Sequence, residues 1–398
     1  MTRSGVKRLL ALLTALVMLA GALAGCGKDT AAQENSAQES GDDSTTQETT
    51  QAGELSGLSN MFPADEVMLT SNGVDVTWKQ LDYFINYQKS NTESYFTQNE
   101  METDWSADDG SGKSYAQTVL DRAVDSAVSF GALEQGAKEL EVSVPQEDID
   151  GLDDQWEQLL ANYEDEETAL STLAEQGVDK DLYKQLMYYT ALSDKCFEAL
   201  YGTNGEKLTD EECAERTAGD GYMMAKHILM ETTKTDDEGN SEDMTDEEKA
   251  EVYAKMEEIL AQLSGLEGEE LEKKFSEIMA EKSEDPGSQS FPEGYLFQDG
   301  QMVPEFESTV KELEEGQMSG IVQTDYGYHI ILKLPINYDS IPSAYSSYMY
   351  YYDPATLSLR CLTAQSMYES VVEGWISSAK VERSKALENL DPVALMNE

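Results

Sequence analysis

The sequence predicts an α+β fold in which an all-α part, split in sequence, carries an inserted α/β module with a four-stranded sheet and flanking helices. Two observations carry this. Before about position 220, and again near the C-terminus, apolar residues recur at three- and four-residue spacing, the period of amphipathic helices. From Gly221 to Pro335 the pattern changes to strand, helices, strand, helix, strand, strand. The 398 residues suffice for two or three modest domains.

At the N-terminus, Arg3, Lys7 and Arg8 form a positive start, and Leu9 to Ala22 is an apolar run of export-signal length. The run is short for a membrane span, and no stop-transfer pattern follows it. Leu23-Ala24-Gly25-Cys26 then matches the lipobox of bacterial lipoprotein signals. Small residues suit a peptidase cleft, and the Cys26 thiol is the nucleophile that takes the diacylglycerol. Residues 1–25 thus read as a lipoprotein signal peptide and Cys26 as the lipidation site, with a plain signal peptide and a chance cysteine as the alternative. Acyl chains contribute about 0.8 kcal/mol per buried CH2, so two or more give stable attachment. The expected location is the extracytoplasmic face of the cell membrane. Residues 26–62 are rich in Ser, Thr, Gln, Gly, Asp and Glu and nearly free of large apolar side chains. They cannot bury enough surface to offset their ordering entropy and read as a flexible tether.

Residues 63–220 read as the N-terminal part of the helical domain. It opens with a hairpin, because Val67-Met-Leu-Thr70 and Val74-Asp-Val76 flank Ser71-Asn-Gly73, and Asn-Gly suits a type I′ turn. Thr77 with Gln80 three residues on is a capping box, opening a helix through Leu81, Phe84 and Ile85. Val119, Leu120, Ala123, Val124, Ala127, Val128 and Leu133 form the apolar stripe of the next helix. The spacing predicts further helices from about Gln146 to Tyr163, up to Gly177, and through Leu182, Leu186, Met187 and Leu192. Thr209 and Glu212 form another capping box, and Thr245 with Glu248 caps the first long helix of the inserted module. The acidic stretch Thr235 to Asp243 reads as a solvated hairpin or extension; it fails calcium-loop spacing because Gly239 comes too early. Residues 337–398 hold a Tyr-rich stretch and a last helix with Leu362, Val372, Trp375 and Ile376, and read as the C-terminal helical part.

Composition limits the function classes. With 79 acidic against 27 basic residues the formal charge is −52, a field that repels phosphate backbones, so no nucleic acid is expected as a partner. After Cys26 only Cys196, Cys213 and Cys361 remain, an odd and widely spaced set that is no disulfide framework; one bridge stays open. Only two histidines occur, and without a nearby Cys or Glu cluster they make no metal site. No cofactor is implied.

Each histidine sits in a recognisable phrase. Tyr222-Met-Met-Ala-Lys-His-Ile-Leu229 resembles the first strand of parvulin-type peptidyl-prolyl isomerase domains, and Gly327-Tyr-His-Ile-Ile-Leu-Lys333 their last strand. Phe275 to Asp285 resembles the helix and exit segment that ends in Ser-x-Asp or Ser-x-Cys. Gly300-Gln-Met-Val-Pro-Glu-Phe306 and the Leu313, Gly316, Met318, Ser319 block follow in the family's order. Five ordered matches over residues 221–336 identify this stretch as a parvulin-type module.

Prolyl isomerisation breaks no covalent bond. Its barrier of about 18–20 kcal/mol is the amide resonance lost on twisting, so a catalyst needs an apolar seat for the proline ring and polar groups suited to the twisted amide. The resemblance implies that Met302 and Phe306 line the proline pocket and that Asp285 lies near the substrate carbonyl. It also implies that His227 and His329 form a paired-histidine network with Thr324 as hydrogen-bonding neighbour. Each has a structural alternative. Paired histidines can be satisfied core groups, Met302 and Phe306 ordinary core, and Asp285 a turn residue before Pro286-Gly287. One stretch departs from the pattern. Relatives carry Gly-Gly-Asp-Leu-Gly where this chain has Pro292-Glu-Gly-Tyr-Leu-Phe297, so Gly294 falls where a leucine often lines the pocket, and Tyr295 or Leu296 is expected to fill the space.

The layout of lipobox, tether, helical part, inserted module and return helix resembles the PrsA-type extracellular foldase lipoproteins. It implies a chaperone-like helical domain and, as partners, unfolded or partly folded exported proteins with X-Pro bonds, besides the membrane reached through Cys26. A homodimer through the helical parts stays open. The alternative is a holdase whose module binds peptides with little or no turnover.

Overall fold

The computed structural model describes residues 60–235, 241–350 and 352–397. The signal run, Cys26 and nearly all of the tether lie outside the described residues, as do Tyr351 and the tip of the Thr235–Asp243 stretch. No helix among the described residues is long and apolar enough to cross a membrane. The described chain divides into two compact units, one of residues 60–200 with 366–397 and one of Tyr201–Gln365.

The first unit begins with the expected hairpin. Strands β1 (Val67–Ser71) and β2 (Val74–Thr77) pair antiparallel. Asn72 (φ 49°) and Gly73 (φ 88°) both take the left-handed conformation that a type I′ turn demands. Helix α1 (Trp78–Gln98) starts on the Thr77–Gln80 box, where the Thr77 N–H donates to Gln80 Oε1 at 2.6 Å. Helix α2 (Tyr115–Glu139) buries the stripe from Val119 to Leu133, with Phe130 5.6 Å from Phe84 of α1. The single helix expected over 146–163 is two, α3 (Gln146–Asp150) and α4 (Leu152–Leu160), meeting at Gly151. Helices α5 (Glu166–Glu175) and α6 (Lys180–Tyr201) follow, and Tyr189 of α6 stacks on Phe130 at 4.2 Å.

The second unit opens with α7 (Asp210–Thr217), entered through the Thr209–Glu212 box. Then come β3 (Met223–Glu231), a small hairpin of β4 (Thr233–Thr235) and β5 (Ser241–Asp243), α8 (Asp246–Leu263) and α9 (Gly268–Lys282). Strand β6 (Tyr295–Phe297), α10 (Pro304–Glu312), β7 (Val322–Gln323) and β8 (Gly327–Leu334) complete the module. The four-stranded sheet has the order β6-β3-β8-β7 with every neighbouring pair antiparallel.

Side chains alternate across this sheet, so its two faces have different neighbours. On one, Lys226 of β3 reaches Glu272 and Ser276 of α9 at 3.1 Å, and Tyr328 of β8 meets Tyr253 of α8 at 5.3 Å. On the other, Met223, Ala225, Phe297 and Ile331 pack with Phe306 and Val310 of α10. Gly327 begins β8 because nothing larger fits there; a Cβ would stand 2.2 Å from the Met230 carbonyl oxygen.

Helix α11 (Leu359–Ser378) leads back to the first unit, where β9 (Val381–Arg383), α12 (Lys385–Glu388) and α13 (Pro392–Met396) end the described chain. Strand β9 pairs with β1, giving a second sheet of order β2-β1-β9. Besides the expected hairpin, the mainly helical part therefore holds one further short strand. All three residues of β9 are exposed, so its extended form comes from pairing with β1 and not from an apolar pattern of its own.

Candidate active site

The site lies on the α10 face of the second unit's sheet. Strand β6 pairs with β3 only from Met223 to Ala225. Beyond that, the segment leaving α9 takes over the same edge, with Leu229 N–H donating to Ser283 Oγ at 3.1 Å and Glu284 N–H to the Leu229 carbonyl at 2.8 Å. His227 stands in the interval between these two attachments, and the next residue of the segment, Asp285, comes to rest beside it. Its Oδ2 is 3.4 Å from His227 Nε2, an ion-pair distance without hydrogen-bond geometry.

The histidines occupy diagonal positions on the two central strands, since His227 faces Ile331 and His329 faces Leu229 across the ladder. Diagonal neighbours on one face are within reach of ring side chains. The imidazole centroids are 5.2 Å apart, with Phe306 edge-on to both at 5.2 and 5.9 Å. Tyr295 lies parallel to His227, at 5.6 Å and 9°. Its hydroxyl donates to Asp285 Oδ2 at 2.6 Å, while the Gly287 N–H donates to Oδ1 at 3.2 Å. A tight turn from Thr324 to Gly327 puts Thr324 Oγ1 2.8 Å from His329 Nε2.

Burial governs the titration of these groups. It lowers the pKa of His227, which the Asp285 carboxylate offsets only in part. His329 is pushed down to about 4, by burial first and by proximity to His227 second. Both imidazoles are neutral at pH 7. Burial, then the bond to Asp285, raises the Tyr295 hydroxyl well above its ordinary value, so it stays a donor. Three buried ring nitrogens, Nδ1 of each histidine and Nε2 of His227, have no hydrogen-bond partner among the described residues.

The structure thus brings His227, Asp285, His329, Thr324 and Phe306 together, with Met302 half-buried against the same apolar cluster. Leu296 is a correction. It pairs with Met224 and lies fully buried between Tyr295 and Phe297, which both face the site, so strand alternation turns it to the opposite face. Gly294 is no gap in the pocket either, because a Cβ there would meet Lys226 and Leu334, which belong to the α8–α9 side. Tyr295 is the wall. Ser283, Gly287 and Phe291, which lies 4.8 Å from Tyr295, have structural parts that sequence reading missed. The Ser-x-Asp phrase contained the signal for Ser283. Phe291 carried none.

The strand-helices-strand-helix-strand-strand module with its paired histidines is that of a parvulin-type isomerase, and residues 227–334 match the family described as the PPIC-type PPIASE domain (Rotamase). Among individual proteins the chain is similar to the foldase protein PrsA of Staphylococcus epidermidis, 32% identical over 164 residues, which is 40% of this chain and 44% of that one. It is also similar to the putative peptidyl-prolyl cis-trans isomerase Cbf2 of Campylobacter jejuni, 36% identical over 114 residues, 28% of this chain and 34% of the relative. The chain spans less than half the length of these two relatives. The crystal structure of PrsA from Bacillus subtilis matches at 21% identity over 83% of this chain and 94% of that one, with a TM-score of 0.23 that lends it no weight.

Proposed function

We propose that this protein is a membrane-anchored extracytoplasmic foldase that catalyses cis/trans isomerisation of X-Pro bonds in exported proteins and binds unfolded chains. The observation that carries the catalytic reading is the apolar seat of Met302 and Phe306 beside Asp285 and two neutral imidazoles. A planar amide holds negative charge on its carbonyl oxygen through resonance, and twisting removes that charge. A carboxylate near that oxygen raises the planar form more than the twisted one, and a water-poor apolar wall acts in the same direction. Histidines held neutral add no charge that would favour the planar dipole. Uncatalysed, the step takes tens to hundreds of seconds and can limit folding.

The anchored reading rests on the sequence around Cys26, and the client reading on the likeness to PrsA foldases. Tethering would raise the concentration of the site where clients emerge. A second reading keeps the peptide site without turnover, as a holdase. Its support is the engagement of both Asp285 oxygens by Gly287 and Tyr295, which leaves the carboxylate less free to act on a substrate.

A protease-coupled assay with X-Pro peptides, run on the chain from residue 26 onward, separates the two. A rate above the blank supports the foldase; a blank rate combined with suppressed aggregation of an unfolded protein supports the holdase. Mass spectrometry of the N-terminal peptide from membranes checks the anchor, and an unmodified Cys26 there would sink it.

A further inference from the structure

We propose that Tyr295 is a positioning residue for the isomerase reaction, its hydroxyl holding the Asp285 carboxylate beside His227 while its ring fixes the imidazole. The inference rests on the foldase reading of the site and adds to it a residue that the family phrase does not contain.

Three contacts close a loop. The Tyr295 ring lies parallel to His227, its Oη donates to Asp285 Oδ2 at 2.6 Å, and that same oxygen stands 3.4 Å from His227 Nε2. The phenol is held on its outer side by Phe291 at 4.8 Å. Position 287 is shaped for the hydroxyl as well, since a Cβ on Gly287 would stand 1.9 Å from Tyr295 Oη. The Gly287 N–H meanwhile binds Oδ1, so one short stretch makes room for the phenol and fixes the other end of the carboxylate. The side chain of Asp285 is mostly buried, with 14% exposed, and without the phenol Oδ2 would have no hydrogen-bond donor. A carboxylate in such surroundings needs donors to stay in place.

The phase of strand β6 puts the phenol there. Met223 pairs with Phe297 and Ala225 with Tyr295, and both odd-numbered residues of β6 face the site. A residue at 295 therefore stands next to the ring of His227, two positions along β3 from its own partner.

The test is a double-mutant cycle with the chain from residue 26 onward. Y295F keeps the ring and removes the hydroxyl, and should lower kcat about tenfold with KM changed less than about twofold, the signature of an interaction that matters in the transition state. In a D285N background the same change should have no further effect, because Tyr295 acts through Asp285. Unchanged kinetics in Y295F, or an equal loss in both backgrounds, overturns the proposal. A blank rate for the unsubstituted chain would count against the foldase reading alone. The proposal is then decided by the NMR titration midpoint of His227, which should move with Y295F in the unsubstituted chain and stay put in D285N. A shift of the same size in both overturns it.

Discussion

Thr324 Oγ1 lies 2.8 Å from Nε2 of His329, and the same oxygen accepts the main-chain N–H of Tyr326 at 3.1 Å. Both side chains are buried. The hydroxyl thus bridges the Tyr326 main chain and the imidazole, fixing one end of the His329 ring while Nδ1 has no hydrogen-bond partner among the described residues.

T324V keeps the shape and removes this partner. A buried polar nitrogen left without its partner costs about 1–3 kcal/mol, so the variant should unfold at lower urea while T324S stays near the parent. Equal midpoints for all three would mean that the bond contributes nothing.

The depressed histidines make stability depend on pH with a definite sign. His329 titrates near 4 in the folded chain against 6.5 for its ordinary value, and His227 is lowered too. Between these values the unfolded chain binds more protons, so this contribution to stability is complete above about pH 6.5 and falls as pH drops toward 4. Carboxylates titrate in the same range, so the measurement is a difference between the parent and H329Q. The parent should lose stability relative to H329Q from pH 6.5 to 4, and parallel curves would contradict the assignment.

Met302 and Phe306 should separate by readout. Phe306 is 3% exposed in the core of the module, and F306A should cost about 3–5 kcal/mol together with activity. Met302 is only partly buried, so M302A should fold near normally and lose about tenfold in kcat/KM. An M302A protein with full activity would remove Met302 from the proline seat.

Gly327→Ala should be the most damaging single methyl in the second unit. The added carbon meets the Met230 backbone at 2.2 Å, where no flexible side chain can give way. Separating β3 from β8 there should cost roughly 3 kcal/mol or more, read as a lowered Tm.

Cys196, Cys213 and Cys361 are free and buried, and burial raises all three thiols, the first and last to about 11. In a C26S chain none should react with a thiol reagent at pH 8 until denaturant is added, after which three should. Fewer than three would indicate a bridge.

Features set by local geometry were legible in the sequence. The Asn72-Gly73 turn and the boxes at Thr77, Thr209 and Thr245 each need only a few adjacent residues, and they formed where the residues predict. That His227, Asp285, His329, Thr324 and Phe306 lie together could be expected because two histidine phrases and the blocks between them kept their order. What could not be read depends on pairing at a distance. Leu296 and Tyr295 are both apolar enough for a pocket, and only the register of β6 on β3 decides which one faces it. Gly151 does not by itself forbid a continuous helix, and the break there was invisible in a periodic stretch. Strand β9 was invisible for the opposite reason, having no apolar periodicity at all.

That last strand has a bearing on the order of assembly. The Asn72 N–H donates to the Lys380 carbonyl at 2.9 Å and Asn72 Oδ1 accepts the Lys380 N–H at 2.9 Å, a clasp that joins residues 308 positions apart. The β1–β2 hairpin, first among the described elements, therefore gains its third strand only after the whole four-stranded sheet of the second unit has been made. All of the isomerase module is synthesised before the clasp can close, so the module is positioned to mature on its own while its host unit still waits for Lys380 and strand β9.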